Sequence, residues 1–385
     1  MTMPVLRCAL PLCSLAAMVL SASSCSHSDA FTPADPATTQ PFSSTPPVRL
    51  TLSLLADLTP SWLPDGSAFI YAFGDPVSRL QNDQCLAIMA PTGGTRRDIC
   101  NVGPFASDST DTFSSPAVSA GGELAYMRGS KPLAAQDERY LALVYGPLSD
   151  PAQFATARSF PFQADGAFYT TAEYISWLDE SRLLLLGMTD TSIQCADPPA
   201  CTSSVLVRSG RDILLADLVA GGAVMTPIPG TTWATSVTLG ASDAEMYYTV
   251  AGSSAVRRAP LPVGTESVAH DFGAGGIARD VTVAGVRMAA IVGGLVKMYD
   301  DGSGNQIQQD VAGRLVLVDL GTGDEQELVA PETLFRHPAL APDGSSLVAE
   351  AYPVSITEIR APGGAVIRVD TTVTGAPDLM RFELP

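Results

Sequence analysis

Two segments of this 385-residue chain share one pattern: PSWLPDGSAFIYAF at residues 60–73 and PALAPDGSSLVAEAY at residues 338–352. Each reads as a short apolar run, a Pro-Asp-Gly turn and a second apolar run. Proline sets the backbone at the first turn position, and glycine adopts the positive φ angle that a tight turn requires. Both segments therefore predict a β-hairpin, at opposite ends of the chain.

Four weaker copies of this hairpin lie between the two segments, and each lacks all or part of the Pro-Asp-Gly turn. They are SPAVSAGGELAYM (115–127), YISWLDESRLLLLG (174–187), SVTLGASDAEMYYTV (236–250) and DVTVAGVRMAAIV (280–292). Several copies are followed by a second hairpin, for example RLVLVDLGTGDEQELV at 314–329. A unit of two hairpins has four antiparallel strands, which is the blade of a β-propeller.

Equivalent first-strand positions recur at intervals of 44 to 62 residues, which predicts six blades. The last interval closes only if the chain ends are joined, because 45 residues follow Leu340 and 14 more separate Val48 from Trp62. We expect LMRFEL (379–384) to be the third strand of the last blade and VRLTLSLL (48–55) its outer fourth strand. The predicted fold is all-β, a six-bladed β-propeller of four-stranded antiparallel blades whose ring is closed by an N-terminal strand. The equivalent positions are Trp62, Val118, Trp177, Leu239, Val283 and Leu340.

The two hairpin segments resemble the blade motif of TolB-type six-bladed β-propellers, which are WD-repeat-like periplasmic propellers. The resemblance covers roughly residues 48–385, with two good copies of the motif and four degraded ones. TolB carries an additional N-terminal α/β domain, and this chain has only a Ser/Thr/Pro/Ala-rich segment in that place. The resemblance implies a fold and a class of binding surface, since a shared fold does not by itself carry a function.

Residues 1–24 have the pattern of a secretory signal. Arg7 precedes an apolar run from Cys8 to Leu20, and small residues follow in SASSC (21–25). The run is too short to cross a bilayer as a mature helix. We expect lipid attachment at Cys25, which would anchor the protein to a bacterial membrane on its periplasmic or cell-surface side. The alternative is an ordinary exported protein that is cut near the same place.

Residues 25–47 predict a disordered tether, because they are rich in Ser, Thr, Pro and Ala and have almost no periodic apolar residue. The chain has 40 acidic and 22 basic residues and a net charge of −18, which becomes −19 when cleavage of residues 1–24 removes Arg7. So acidic a chain repels phosphate backbones and anionic membrane surfaces. We therefore expect no nucleic-acid partner, and membrane contact through the lipid anchor only.

Four cysteines remain beyond Cys25, and an even number in an exported chain predicts two disulfides. Cys85 and Cys100 flank a predicted hairpin, in which facing residues lie within disulfide reach. Cys195 and Cys201 bracket the short loop ADPPA. We therefore expect Cys85–Cys100 and Cys195–Cys201 pairs.

Motifs for catalysis are missing from the sequence. No G-x-S-x-G segment occurs, and the nearest stretch, Gly240 to Ala244, falls on a predicted turn. The only histidines are His27, His270 and His337. No CxxC pair occurs that would indicate a zinc site. We expect no catalytic residue, no cofactor and no metal site.

The residues that enter the innermost strands are predicted to ring one mouth of a central channel. Arg279 and Arg336 would form a cationic patch there, suited to an acidic peptide or a carboxylate ligand. The alternative is that these arginines pair with Asp280 and Glu173 as solvated ion pairs. The predicted binding residues are Glu173, Arg279, Asp280, Arg336 and His337. The equivalent entry positions are Thr59, Ser115, Tyr174, Ser236, Asp280 and His337.

The sequence favours a monomeric, non-enzymatic module of the bacterial envelope that binds or scaffolds a protein or peptide. The alternative is a calcium-dependent propeller enzyme of the lactonase or hydrolase kind, with its site in the central channel. Such enzymes hold calcium with Glu, Asn and Asp from several blades. Glu173 and Asp280 stand near one mouth, but no Asn occurs at the innermost-strand positions.

Overall fold

The computed structural model describes a nearly all-β chain. A single-turn 3-10 helix, Pro151–Gln153, is the one helical element among the described residues, and none of them forms a helix suited to crossing a bilayer. Residues 1–31, which contain the predicted signal and Cys25, and most of the predicted tether lie outside the described residues. The described residues are 32–33, 46–52, 56–74, 85–99, 109–132, 140–195, 205–240, 242, 244–261, 264–300, 306–360, 362, 364 and 366–385.

Four-stranded antiparallel units follow one another along the chain, as the hairpin repeat predicts. Within a unit the strands pair in chain order, so the first strand forms one edge. Two short strands, β1 (Thr32–Pro33) and β2 (Val48–Arg49), precede the first unit. Unit 1 is β3 Ala56–Trp62, β4 Phe69–Gly74, β5 Cys85–Met89 and β6 Arg97–Ile99. Unit 2 is β7 Ser109–Val118, β8 Glu123–Pro132, β9 Tyr140–Pro147 and β10 Ala155–Phe160.

The middle of the chain continues the same pattern after a small hairpin, β11 (Phe162–Ala164) and β12 (Ala167–Tyr169). Unit 3 is β13 Thr171–Asp179, β14 Arg182–Cys195, β15 Val205–Val219 and β16 Gly222–Pro227. Unit 4 is β17 Ala234–Leu239, β18 Glu245–Val250, β19 Ala255–Pro260 and β20 Ser267–Asp271. Unit 5 is β21 Ala278–Ala284, β22 Arg287–Asp300, β23 Gln306–Asp319 and β24 Glu325–Leu328.

The last unit contains strands from both ends of the described chain. Its strands are β25 Thr333–Leu340, β26 Ser346–Arg360, β28 Asp378–Glu383 and the N-terminal β2. A further strand, β27 (Val366–Val373), pairs with the distal half of β26. Beyond β2, the Leu50 nitrogen donates to the Leu379 carbonyl at 2.8 Å. This is the strand order that the sequence predicts for the last unit, which we number 6.

The hydrophobic core lies between units. Leu143 of unit 2 packs in one cluster with Leu183 of unit 3, and comparable clusters lie between the other successive units. One more cluster joins unit 6 to unit 1, with Leu379 and Phe69 among its members. A fully buried Leu or Phe contributes roughly 1.5–3 kcal/mol relative to an exposed one, so these contacts hold neighbouring units together.

Two tryptophans make equivalent contacts between units. The Trp62 indole nitrogen donates to the Ala339 carbonyl of unit 6 at 2.9 Å. The Trp177 indole nitrogen donates to the Ala117 carbonyl of unit 2 at 3.0 Å. Each indole thus contacts the first strand of another unit, Trp62 that of unit 6 and Trp177 that of unit 2.

The predicted Pro-Asp-Gly turns are present and are closed by the aspartate side chain. Asp65 Oδ1 accepts from the Ser67 nitrogen at 3.0 Å and from its hydroxyl at 2.7 Å. Asp343 accepts from Ser345 in the same way, at 2.9 and 2.7 Å. The backbone hydrogen bond from Ser67 lowers the pKa of the Asp65 carboxyl, and that from Ser345 lowers the pKa of Asp343. These turns connect the first and second strands of units 1 and 6.

Long hairpins extend units 3 and 5 at the end opposite these turns. β14 and β22 each have 14 residues, whereas β18 of the intervening unit 4 has 6. The ends of the two long strands pair with each other, Gln194 opposite Asp300 and Cys195 opposite Tyr299. Units 3 and 5 are thus joined by strand pairing beyond the end of the shorter strands of unit 4.

Candidate functional site

A residue in the left-handed region interrupts the first strand of five units, at the entry position singled out from the sequence. The register with the second strand shifts at each of these residues, so each is a β-bulge. Such backbone angles cost of the order of 1–3 kcal/mol each and persist only where the surroundings hold them. The positive φ angles are +48° at Thr59, +51° at Ser115, +55° at Tyr174, +49° at Asp280 and +42° at His337.

The bulges are held by hydrogen bonds from one unit to the next. In each case the side chain of an entry residue accepts from a backbone nitrogen at or beside the entry position of the following unit. These bonds fix the first strands of neighbouring units against one another. They are Ser115 N to Thr59 Oγ1 at 3.1 Å, Tyr174 N to Ser115 Oγ at 3.3 Å, Val281 N to Ser236 Oγ at 3.2 Å and His337 N to Asp280 Oδ2 at 3.3 Å.

A cavity of about 420 Å³ lies where the first strands of all the units meet, and we call it the central cavity. Its lining runs from the bulged residues, such as Thr59 and His337, to turn residues such as Gly285 and Pro342. Gly285 and Pro342 are exposed, whereas the groups beneath the bulges are buried. The central cavity therefore opens at the turn end, and its floor is at the bulged end.

The floor rests on a buried carboxylate, Asp280, whose partners link three units. The Tyr174 hydroxyl of unit 3 donates to Asp280 of unit 5, and Arg336 of unit 6 forms a salt bridge with the same carboxylate. Asp280 is only 2% exposed. Burial by itself raises the pKa of this carboxyl, but the charges of Arg336 and His337 outweigh burial and hold the pKa well below its usual value. Asp280 is therefore an ionised acceptor in the interior.

A second buried carboxylate, Glu350, supports the His337 ring. His337 Nδ1 lies 2.7 Å from Glu350 Oε1, which also accepts from the Thr59 backbone nitrogen at 2.6 Å. The Tyr352 hydroxyl donates to Glu350 Oε2 at 3.0 Å. Burial raises the pKa of the Glu350 carboxyl, but the charge and hydrogen bond of His337, the charge of Arg336 and the Thr59 hydrogen bond together outweigh burial, so the net pKa is lowered. In turn, burial lowers the pKa of His337, and the carboxylates of Glu350 and Asp280 raise it above its ordinary value.

Three of the five predicted binding residues come together in the structure. Asp280, Arg336 and His337 form one cluster beneath the central cavity, and only His337 lines the cavity itself. The sequence predicts that these residues ring an open mouth of the channel. In the structure they contact one another at the bulges and form the closed floor of the cavity. Arg336 pairs with Asp280, as the alternative interpretation has it, but the carboxylate is buried and only the guanidinium is partly exposed.

Arg279 does not contribute to an exposed cationic patch. It is 4% exposed, and its Nη2 donates to the backbone carbonyls of Gly293 and Ala312 within unit 5. Burial lowers the pKa of its guanidinium to about 10, although Asp280 opposes that shift. Its described contacts support the backbone of its own unit, which corrects the sequence-based placement.

Glu173 lies in a separate ion pair. Arg208 of β15 contacts Glu173 Oε1 on β13 at 3.0 Å and Asp190 Oδ1 on the intervening strand β14 at 2.9 Å. The two carboxylates considered for calcium, Glu173 and Asp280, are therefore each engaged by an arginine. Within the described ranges, no three His, Cys, Asp or Glu side chains are grouped so that they could hold a metal ion.

Sequence reasoning missed Glu350, the residue that joins His337 to Thr59. A signal for it was present, because Glu350 is the only charge in the apolar run SLVAEAY, and the matching position of the first hairpin is Ala72. A carboxylate in such a run must be paired when it is buried. The run therefore indicated an internal cationic partner but not which one.

The predicted disulfides stay predictions. Cys85 is buried at the start of β5, and the hairpin expected between Cys85 and Cys100 is present as the β5–β6 pair. Cys100 and Cys201 lie outside the described residues, and so does the side chain of Cys195.

Comparison with known proteins shows the fold. No protein-family model matches the chain, and no curated protein matches it significantly in sequence. Among solved structures, the chain is similar to a gluconolactonase from Xanthomonas campestris, with 10% identity and a TM-score of 0.54 over 93% of this chain and 98% of that chain. At this identity the likeness establishes a β-propeller fold and no activity.

The chain also resembles other β-propeller structures, including a TolB protein. TolB from Acinetobacter baumannii has 13% identity and a TM-score of 0.44, covering 86% of this chain and 63% of that chain. The chain thus spans less than two thirds of that TolB structure. The β-propeller domain of a Myceliophteria thermophila protein has 13% identity and a TM-score of 0.44, covering 86% of this chain and 97% of that chain.

Proposed function

We propose that this protein is a non-catalytic β-propeller of the bacterial envelope that binds a segment of a partner protein in its central cavity. The observation that carries the proposal is the cavity itself, which is lined by the first strand of every unit and opens at the turn end. Its volume of about 420 Å³ lies within the range of ligand sites in proteins. A segment of a few residues could therefore enter it.

In this proposal the units are six blades of a closed ring. The hydrophobic cluster between units 6 and 1 supports closure, as does the pairing of β2 with β28. A closed ring leaves the first strands rigid, because each is bonded to at least one neighbour at its entry position. A rigid site loses little conformational entropy when a partner binds.

The floor of the cavity also favours binding over catalysis. Asp280 is already engaged by Arg336 and Tyr174, and Glu350 by His337, Thr59 and Tyr352. Carboxylates that are fully engaged hold the site in shape and are poorly placed to move protons to and from a substrate.

The protein would reach its partner as an exported, lipid-anchored chain. The signal pattern of residues 1–24 and the cysteine at position 25 support this part of the proposal. Cys25→Ala should release the protein from detergent-extracted membranes or block its processing. Wild-type protein that is soluble, with an unmodified N-terminal peptide in mass spectrometry, would contradict the anchor.

The second candidate is a propeller hydrolase of the lactonase kind, with calcium in the central channel. The observation in its favour is the full-length fold similarity to the Xanthomonas gluconolactonase. Hydrolysis of glucono-δ-lactone by the purified protein, dependent on added calcium and absent after chelation, would favour this candidate. A calcium-dependent rise in melting temperature is a second readout, because an ion bound only by the native state stabilises it.

Blocking the cavity tests the binding proposal. Ser176 lines the central cavity, so Ser176→Trp should fill part of it and abolish co-purification of the envelope partner captured by crosslinking to the wild type. The control is Ser267→Trp, an equal change at an exposed position on the outer strand β20. Equal capture by both variants, each with wild-type melting temperature, would place the interface outside the cavity.

A further inference from the structure

The charge of the central cavity differs sharply from that of the chain. The chain has 40 acidic residues, yet among the described residues no aspartate, glutamate, lysine or arginine lines the cavity. Prolines and aliphatic side chains form much of the wall, and the hydroxyls of Ser61 and Ser176 lie among them. His337, on the floor, is the one lining residue of the described chain that becomes cationic near neutral pH.

The His337 ring is oriented by what lies behind it. Its Nδ1 bonds to Glu350, an ionised carboxylate, which can only accept. Nδ1 therefore carries a proton in either charge state of the ring. No described group is bonded to the other ring nitrogen, Nε2, and the side chain is 18% exposed where it lines the cavity. A protonated ring thus offers an N–H donor to an occupant of the cavity.

The charged groups packed around His337 come from three strands. Glu350 lies on β26, Asp280 on β21 and Arg336 on β25. The Tyr174 ring on β13 lies beside the imidazole at a tilt of 44°, with centroids 5.5 Å apart. Among Glu350, Asp280 and Arg336, two carboxylates face one guanidinium, so the imidazolium balances these three charges, and the buried Arg279 guanidinium also interacts with Asp280. An anion that enters the cavity would then meet a floor without excess negative charge and the Nε2–H donor of His337.

We infer that the central cavity binds a carboxylate group, which accepts a hydrogen bond from His337 Nε2–H at the floor while apolar groups next to it contact the proline-lined wall. This inference rests on the proposed binding function and names the chemistry of the segment that is bound. A planar carboxylate has a second oxygen, for which the serines in the cavity lining are candidate donors. A phosphate would need more cationic donors than one imidazolium, and a cationic group would meet no carboxylate in the lining.

The source of the carboxylate is either a chain terminus, an acidic side chain or a small free acid. Three probes separate these sources: N-acetyl-glycyl-proline, an N-acetylated and C-amidated Ala-Asp-Ala peptide, and acetate. The matched control for the first is N-acetyl-glycyl-prolinamide, which has the same shape and no charge. The probe that binds most tightly identifies the source.

Nuclear magnetic resonance of the histidine rings tests the inference directly on the full-length protein. The chain has three histidines, so carbon-13 labelling gives three ring signals, assigned with His337→Gln and His270→Gln. We expect at least one carboxylate probe to shift the His337 signal saturably and raise its pKa, and the amide to do neither. At about pH 6, His337→Gln should weaken that binding roughly tenfold, the size expected for a charge-assisted hydrogen bond.

Two outcomes would overturn the inference: equal shifts with the acid and the amide, or no shift of the His337 signal with any carboxylate. The His337 signal can also be assigned by elimination with His27→Gln and His270→Gln, so the wild-type titration decides the matter even if His337→Gln does not fold. If the carboxylates leave His337 unmoved while Ser176→Trp still abolishes partner capture, the binding function stands and only the carboxylate chemistry fails.

Discussion

The Glu350 carboxylate of the last unit accepts a hydrogen bond from the Thr59 backbone nitrogen of the first unit at 2.6 Å, across 291 residues of sequence. Glu350 is fully buried and also bonds to the His337 ring. One side chain thus connects the two ends of the unit series to the floor of the central cavity. Its removal should affect the fold and the site together.

Replacing Glu350 should destabilise the whole protein. Glu350→Gln removes a buried negative charge and leaves His337 and Thr59 with a weaker acceptor, so we expect a loss of about 2 kcal/mol or more in the free energy of unfolding. Glu358→Gln is the control, because Glu358 lies in an exposed ion pair with Arg360. Urea unfolding followed by tryptophan fluorescence measures both, and equal midpoints for the two variants would contradict the prediction.

The contact of the N-terminal segment with unit 6 should contribute to stability. Leu50 is completely buried in the cluster that joins units 6 and 1, whereas Leu52, two residues later, is 46% exposed. Leu50→Ala should therefore lower the free energy of unfolding by about 2–4 kcal/mol, and Leu52→Ala should change it little. If Leu50→Ala unfolds like the wild type, the N-terminal segment is not part of the closed structure.

The stability of the floor should depend on pH in a defined direction. Since the folded pKa of His337 is raised above 6.5, its contribution is fully present below that pH and is lost as pH rises through the folded pKa. The pKa of Glu350 is lowered below 4.5, so its contribution is present above that pH and is lost as pH falls through the folded value.

The difference in unfolding free energy between wild type and His337→Gln should therefore shrink as pH rises above 6.5. His270 lies in an ion pair with Glu325, so the difference in unfolding free energy between wild type and His270→Gln is the control for the loss of a histidine in general. A His337 difference that grows with pH would show that the imidazole is bound in its neutral form.

Peptide mapping without reduction tests the predicted cysteine pairs. Digestion without reduction should give one linked peptide pair containing Cys85 and Cys100 and another containing Cys195 and Cys201. Loss of the first bond should matter more for stability in the chain-entropy account, because it closes the longer loop. Four free thiols, or a crossed pairing, would refute the assignment.

The repeat could be predicted from sequence because its determinants are local. Pro64, Asp65 and Gly66 set a turn wherever they occur, and alignment on that turn also located the bulged entry residues. The partner that each side chain at those positions contacts could not be predicted. Arg279 and Arg336 occupy equivalent positions, yet Arg279 turns into its own unit.

The strands beside Arg279 explain this difference. The backbones at Gly293 and Gly313 approach each other closely, since a Cβ atom at Gly313 would lie only 2.4 Å from the Gly293 carbonyl oxygen, and Arg279 donates to that same carbonyl. Arg336 instead meets Asp280 from the neighbouring unit. The contact of Arg336 with Asp280 spans more than 50 residues of sequence, and so does the pairing of β14 with β22. Short sequence motifs do not encode contacts of this range.

Site-specific photocrosslinking tests the central claim, that a partner segment enters the central cavity, most directly. A photoreactive amino acid would replace Thr238 or Leu340 in the cavity lining, and Val268 or Val224 on the exposed outer strands as controls. The account predicts that the two cavity positions crosslink to the same short peptide of one envelope protein and that the outer positions do not. Crosslinks confined to Val268 or Val224, with none from Thr238 or Leu340, would contradict it.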